Sequence, residues 1–242
     1  NEEEIQVLPS RELNFAGTPW KISQYDLNAL ESGKQLAAGG GSLTALSIGS
    51  EAALGSSKIQ KDILSRGADE LKLVMDDGKP FQDSLQTAKA IAEAVGTIGQ
   101  YDLVLCGMGS SDLYFQEVGV QVGELLGVPA LNNVTGIKPA GEGVLEVERT
   151  LEDEVEVLEV PLPAVLSVSS EINTPSVPAM RDIMRAGKKP VDKLDCQGGG
   201  EPSLRILQQL APQQQERRKE LVEGDGEEAV DALVRFLKKE GF

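Results

Sequence analysis

The 242 residues carry 39 acids against 23 bases, a formal net charge of −16, with no histidine, two cysteines and 4% aromatic residues. The absence of histidine removes Ser-His-Asp and Cys-His catalysis, a histidine general base and histidine-ligated zinc or haem. Two cysteines make neither a four-cysteine metal site nor a disulfide framework, and so acidic a chain has no basic face for nucleic acid or for an anionic membrane surface.

No window approaches the roughly 18 apolar residues of a membrane span, and the polar start Asn1 to Glu4 is unlike a signal peptide. Cys106 and Cys196 read as reduced thiols of a cytoplasmic protein.

In chain order, Ser23 and Asp26 have the spacing of a capping box and predict a helix over 24–38, with Leu27, Leu30 and Ala37 toward a core. Gly39, Gly40 and Gly41 end it. A buried strand is predicted over 43–48, a helix over 57–65 and a strand over 70–74. Asp83 and Gln86 start a helix in which Leu85, Ala88, Ala92 and Val95 recur at helical spacing. A strand over 102–106 and a helix over 113–126 follow. This alternation predicts parallel βαβ units with helices on the faces of a sheet.

The pattern changes after Pro129. Residues 144–151 and 155–169 read as β, and 141–160 hold eight acids and one base, Arg149. Val147, Val155 and Val157 alternate with Glu146, Glu148, Glu154 and Glu156, which predicts a hairpin with one buried and one charged face. Residues 161–169 (PLPAVLSVS) read as a core strand. The chain then divides into an α/β domain over 1–194 and a C-terminal arm over 195–242. The arm is rich in Gly, Gln and Pro and closes in a helix over 226–239. Asp225 and Glu228 are placed to cap that helix, and Val230, Leu233, Val234 and Leu237 form one stripe. That stripe either packs on its own domain or clasps another chain.

Four segments are candidates for chemistry. Cys106, Gly107, Met108, Gly109, Ser110, Ser111 and Asp112 follow a strand and open a helix. Their glycines admit close backbone approach, and N–H groups with serine hydroxyls suit a phosphate. The run matches only two glycines of G-x-G-x-x-G and lacks a Walker lysine, so an ordinary capped turn is the alternative. Ser23, Gln24, Tyr25 and Asp26 either cap a helix or line the same site. Ile172, Asn173, Thr174, Pro175, Ser176, Val177 and Pro178 form a proline-stiffened exposed loop of the kind that carries recognition. The basic stretch 181–189 is a solvated helix face or part of that surface. No nucleophile stands beside a base. From residues alone the chain is an α/β nucleotide-binding domain that is not catalytic by itself.

At these residues the chain resembles the β subunit of an electron transfer flavoprotein. Val147, Arg149, Glu152, Asp153, Glu154, Glu156 and Leu158, followed by Pro163, Val165, Leu166 and Ser167, fit that family's signature without a gap. NTPSVP followed by MRDIMRAGKKP resembles its recognition loop and the helix after it. ISQYDLNA, LSRGADEL, LCGMGSSDLY and VEGDGEE resemble the Fix-type branch, linked to nitrogen fixation or anaerobic carnitine reduction.

The resemblance implies an adenine-nucleotide hydrolase-like, Rossmann-like fold with a β hairpin extension and an arm embracing a larger α subunit, which holds the electron-carrying FAD. It implies that this subunit holds AMP, or a second FAD in members that bifurcate electrons. Ser23 to Asp26 would line the adenosine side. Gly107 to Asp112, with Gln116, Glu117, Val118 and Gly119, would line the phosphate side, and Cys106 counts among the residues of the same cofactor site. The 172–178 loop would meet a flavoprotein dehydrogenase, reductase or quinone oxidoreductase. Family members begin with a strand that would lie ahead of Asn1. Gly109 stands where a glutamine is usual, and Glu117 where a glutamine is common. The rival reading is a stand-alone ATP-binding domain of the universal-stress type, without a flavoprotein partner.

Overall fold

The computed structural model describes residues 4–75, 83–110, 113–196, 201–204, 206–213 and 221–241. The chain resolves into two compact units, one of Asn1–Glu4 with Ala16–Gln208 and one of Ile5–Phe15 with Gln209–Phe242.

In chain order the elements are β1 (Gln6–Val7), β2 (Leu13–Asn14), α1 (Gln24–Ala37), β3 (Thr44–Gly49), α2 (Glu51–Leu54), α3 (Ser57–Ser65), β4 (Glu70–Met75) and α4 (Ser84–Ile98). There follow β5 (Leu103–Gly107), α5 (Val118–Leu126), β6 (Ala130–Gly141), β7 (Val144–Thr150), β8 (Val155–Pro161) and β9 (Ala164–Val168). The last are α6 (Met180–Ala186), β10 (Val191–Lys193) and α7 (Glu227–Glu240).

The larger unit holds two sheets. One is wholly parallel, in the order β10-β4-β3, with Thr44 opposite Glu70 and Val191 opposite Leu71. The other runs β5-β9-β6-β7-β8. Its β5, β9 and β6 are parallel, and β7 and β8 continue antiparallel. Parallel strands joined through flanking helices make this a Rossmann-like α/β fold.

Strand β9 shows why the apolar run at 164–168 is a core strand. All five of its residues are buried. Successive side chains alternate between faces. Ala164, Leu166 and Val168 join a cluster with Ala29 of α1, whereas Val165 packs with Ala88 of α4 and Val122 of α5. Helix α5 lies close on β9 and β6 because Gly119 and Gly123, one turn apart, carry no side chain. A Cβ at Gly119 would overlap the Ser167 hydroxyl, and one at Gly123 the Ala130 side chain.

Strand β6 was not anticipated as one long element. Its start pairs in parallel with β9, at Ala130 with Val165, and its remainder pairs antiparallel with β7, at Ile137 with Val147. The register shifts between Leu131 and Val134, around Asn133 with φ +55°. A bulge of this kind re-aims a strand, so the acidic hairpin is a three-stranded ribbon.

The ribbon's inner face also differs from expectation. Val147 pairs with Leu158 and Leu145 with Val160, and these form the buried side. Val155 and Val157 have the opposite parity, face outward beside the glutamates, and are each 59% exposed. Register, rather than hydrophobicity alone, decides the face.

One helix start and one cap differ from expectation, while α1 itself begins at Gln24 as the sequence predicts. The predicted 113–126 helix begins only at Val118. At α1, Ser23 is the N-cap residue without a side-chain cap bond, so the expected capping box is not formed. The most buried residues of α1 are Asn28, Ala29, Glu31, Ser32 and Gly33, where Leu27, Leu30 and Ala37 were expected to lead.

The α4 cap behaves as the sequence predicts. Asp83 accepts from Gln86 N at 2.7 Å, and its other oxygen accepts from the backbone N–H groups of Ser203 and Leu204. Burial pushes its pKa up, but those N–H groups outweigh it, and the carboxyl ends below the usual aspartate range.

In the smaller unit, β1 pairs antiparallel with β2, Glu12 bridges to Leu210, and Ala211 N donates to Arg11 O at 2.8 Å. Helix α7 begins at Gly226 without the predicted Asp225 cap, and its stripe Val230, Leu233, Val234 and Leu237 is exposed. Among the described residues, no helix is long and apolar enough to cross a membrane.

A carboxylate with a depressed folded pKa stabilises above its unfolded pKa near 4, and that stabilisation is lost as pH falls through the folded value. Asp83→Ala is therefore expected to cost about 1–2 kcal/mol in urea unfolding at pH 7. The gap from wild type should narrow below about pH 4. Equal stability of the two proteins at pH 7 would show that the cap is not formed.

Candidate functional site

In an open parallel sheet, ligands gather at the carboxyl ends of the strands. Here the carboxyl end of β5 meets the first turn of α1. Asp26 accepts a hydrogen bond from the backbone N–H of Gly107. The approach is close: a Cβ at Gly107 would lie 2.6 Å from Asp26 Oδ1 and 2.9 Å from Asp26 N. No other residue type fits, which gives Gly107 a packing reason independent of any ligand.

Strand β5 is half-buried along its whole length, and β3 nearly so, unlike the fully covered β9. Among the described residues, β3 pairs only with β4 and β5 only with β9. Asp26 is open to solvent yet densely surrounded by protein, as befits a group on the floor of a crevice. Burial pushes its carboxyl pKa up, and the Gly107 bond offsets only part of that. Beside it, burial and then the Asp26 charge push the Cys106 thiol up to about 12. Cys106 is thus a thiol at neutral pH, with no nucleophilic role.

The described residues after β5, 108–110 and 113–117, border this crevice through Tyr114, whose ring meets Tyr25. Met108 N donates to Val168 O at 2.9 Å, seating the loop on β9. Ser110 Oγ accepts from the backbone N–H groups of Leu113 and Tyr114, both at 3.3 Å. Tyr114 and Gln116 are left-handed, at φ +51° and +59°. Two non-glycine residues held so within three positions mark a strained, over-determined loop. A Cβ at Gly109 would come within 2.9 Å of the Tyr114 ring. That ring lies 5.6 Å from Tyr25, tilted by 33°, and the two side chains hydrogen-bond, which raises the Tyr25 pKa.

The structure therefore brings together Tyr25, Asp26, Cys106, Gly107, Gly109 and Gln116 from the sequence-predicted set, and adds Tyr114. Other members serve different ends. Gln24 Nε2 donates to Asn28 Oδ1 at 3.2 Å, Val118 packs in the α4–α5 core, and Gly119 is the close contact with Ser167. Glu117 accepts from Ser84 Oγ at 2.5 Å, so its charge is tied to the start of α4. Ser111 and Asp112 lie outside the described residues. Tyr114 was missed because its role depends on a left-handed turn that no periodicity signals.

The 172–178 loop is less uniformly exposed than predicted. Ile172 packs against the β6–β9 core, and Asn173 is half-buried. Val177 is 90% exposed and leads to the exposed Met180 and Met184 of α6.

A carboxyl with a raised folded pKa weakens folding once pH exceeds its unfolded value near 4, and the penalty is full above the folded pKa. Asp26→Asn keeps an acceptor for Gly107 and removes the charge. Its melting temperature is expected to exceed that of wild type at pH 7.5, with the two converging toward pH 4. A less stable Asn variant at pH 7.5 would contradict the crevice electrostatics.

The geometry is that of a strand-end crevice bordered by a strained loop, and one family comparison bears on it. A family model described as the electron transfer flavoprotein domain matches residues 13–197, a span that includes both sheets and the crevice. The chain belongs to the electron transfer flavoprotein family, whose members are flavoproteins of electron transport.

Proposed function

We propose that this chain is the β subunit of a two-subunit electron transfer flavoprotein of the Fix-type branch. Its α subunit would hold FAD, and the β5 crevice would hold AMP or the adenosine end of a second FAD. The observation that carries the reading is the meeting of Tyr25, Asp26, Gly107 and Tyr114 at a parallel strand's carboxyl end, in a chain of this family.

The residues present suit such a group. The rings of Tyr25 and Tyr114 offer an aromatic wall for a flat base. The Ser110 hydroxyl and the backbone N–H groups at the start of α5 suit phosphate oxygens. The tether of Glu117 to Ser84 keeps a carboxylate from competing with them. When bound, a flavin takes up and releases electrons, and the protein supplies position and electrostatics. With a second FAD in the crevice, this subunit would be the place of electron bifurcation.

Docking of a flavoprotein dehydrogenase, reductase or quinone oxidoreductase falls to the outward end of the 172–178 loop, at Val177, with Met180 beyond it. A charged residue at Ile172 would damage the core before it could report on docking.

The test is to co-express the chain with its α subunit, release bound nucleotides by heat and quantify them. One FAD with one AMP per heterodimer is the outcome for a simple carrier, and two FAD that for a bifurcating one. ATP on a homodimer without flavin would sink the reading. In the same complex, Val177→Asp is expected to slow electron transfer while leaving flavin content unchanged.

A further inference from the structure

Helix α1 carries two features on one rod. Its first turn borders the crevice, where Asp26 meets Gly107. Its next turns grip the 170–178 loop through a set of directional polar contacts, beside the apolar cluster that Ala29 and Ile172 share. Asn28, fully buried, donates from Nδ2 to Asn173 O at 2.8 Å, Asn173 Oδ1 at 3.1 Å and Ser170 O at 3.4 Å. Asn173 Nδ2 donates in return to Asn28 O at 3.1 Å and Ser32 Oγ at 2.8 Å. Farther along, Glu31 accepts from the Ser176 amide at 3.2 Å and the Ser176 hydroxyl at 2.7 Å. Lys34 Nζ donates to that hydroxyl at 2.7 Å and pairs with Glu31 at 3.2 Å.

An apolar contact tolerates sliding, but a buried amide with directional partners does not. The loop side chains of Asn173 and Ser176 both have their partners on α1. The residue immediately beyond the grip is Val177, almost wholly exposed. Its direction is therefore set from inside.

We propose that Asn28 and Glu31 are positioning residues for this loop. They fix its shape before any partner arrives, and they tie it to the helix that borders the crevice. A shift of α1 at Gly107 then moves Ser176 and Val177, because a helix of 14 residues transmits displacement along its axis. By linkage, whatever moves α1 from the crevice and whatever grips the loop change each other's affinity by the same factor. The inference stands whichever nucleotide or partner is involved.

Hydrogen–deuterium exchange on the full chain tests it, with β9 amides as the internal reference. Glu31→Ala is expected to speed exchange of the 173–177 amides about tenfold or more, with β9 unchanged. Glu31→Gln, which keeps an acceptor, should stay within about threefold of wild type. Ser176→Ala removes the hydroxyl from the exposed side and should give an intermediate rise, even if Glu31→Ala does not fold. Gly107→Ala forces α1 outward, and Asp26→Ala, which breaks the bond to Gly107, is its milder counterpart. Either should speed exchange in the same loop amides. Unchanged loop exchange in Glu31→Ala and Ser176→Ala would overturn the clamp, as would a rise matched in β9. Loop exchange indifferent to both crevice variants would overturn the coupling.

Discussion

A fully buried asparagine amide must find partners for its donors and its acceptor, or lose roughly 1–3 kcal/mol for each group left bare. Asn28 meets this demand with a neighbouring glutamine on one side and two loop carbonyls on the other. That requirement fixes how far α1 stands from the strand-end loop after β9. It thereby settles where the first turn of α1 reaches β5, and where Asp26 finds Gly107. An apolar helix face at this place would have packed as well but would have left the loop free to choose its own path.

The negative charge takes on a local meaning in the structure. On the ribbon, Lys138 lies 3.5 Å from Glu146 and 3.0 Å from Glu148, and Arg149 lies 3.6 Å from Glu156 while donating to Asn132 at 2.8 Å. Such exposed pairs contribute little to stability. They do order the bases among many acids, and they leave the remaining glutamates facing water. The two acids that matter structurally are held instead by hydrogen-bond donors: Asp83 by backbone N–H groups, and Glu31 by the Ser176 hydroxyl and amide with Lys34 and Gln35. In both, those donors outweigh the effect of burial and keep the carboxyl in its charged form.

Much of the architecture is legible in the sequence because it rests on local signals. Asp83 caps α4 as its spacing predicts, and the 164–168 run is buried on both faces as its mainly apolar composition predicts. What escaped reading depends on contacts distant in sequence. The polar burial of α1 is unintelligible without a loop some 145 residues away. The outward turn of Val155 and Val157 follows from a register that only the partner strand fixes. At the site, Gly107 and Tyr25 stand in the predicted segments, whereas Tyr114 owes its place to a left-handed backbone that residue type disfavours.

The divided strand β6 has one more consequence. Its first residues are built into the parallel sheet and its last into the acidic ribbon, with Asn133 as the elbow. The ribbon's two turns therefore lie at opposite ends. Thr150 pairs with Val155 on the elbow side, where Arg149 faces Val134, whereas Gly141 faces Val144 at the far end, and there Leu162 N donates to Gly143 O just before β9 begins. A change of length at 141–144 would thus be felt by the strand that seats the crevice loop, and sliding β7 by one residue would turn Val147 to water. Variation among relatives is then expected to concentrate at the exposed turn around Glu152 and Asp153.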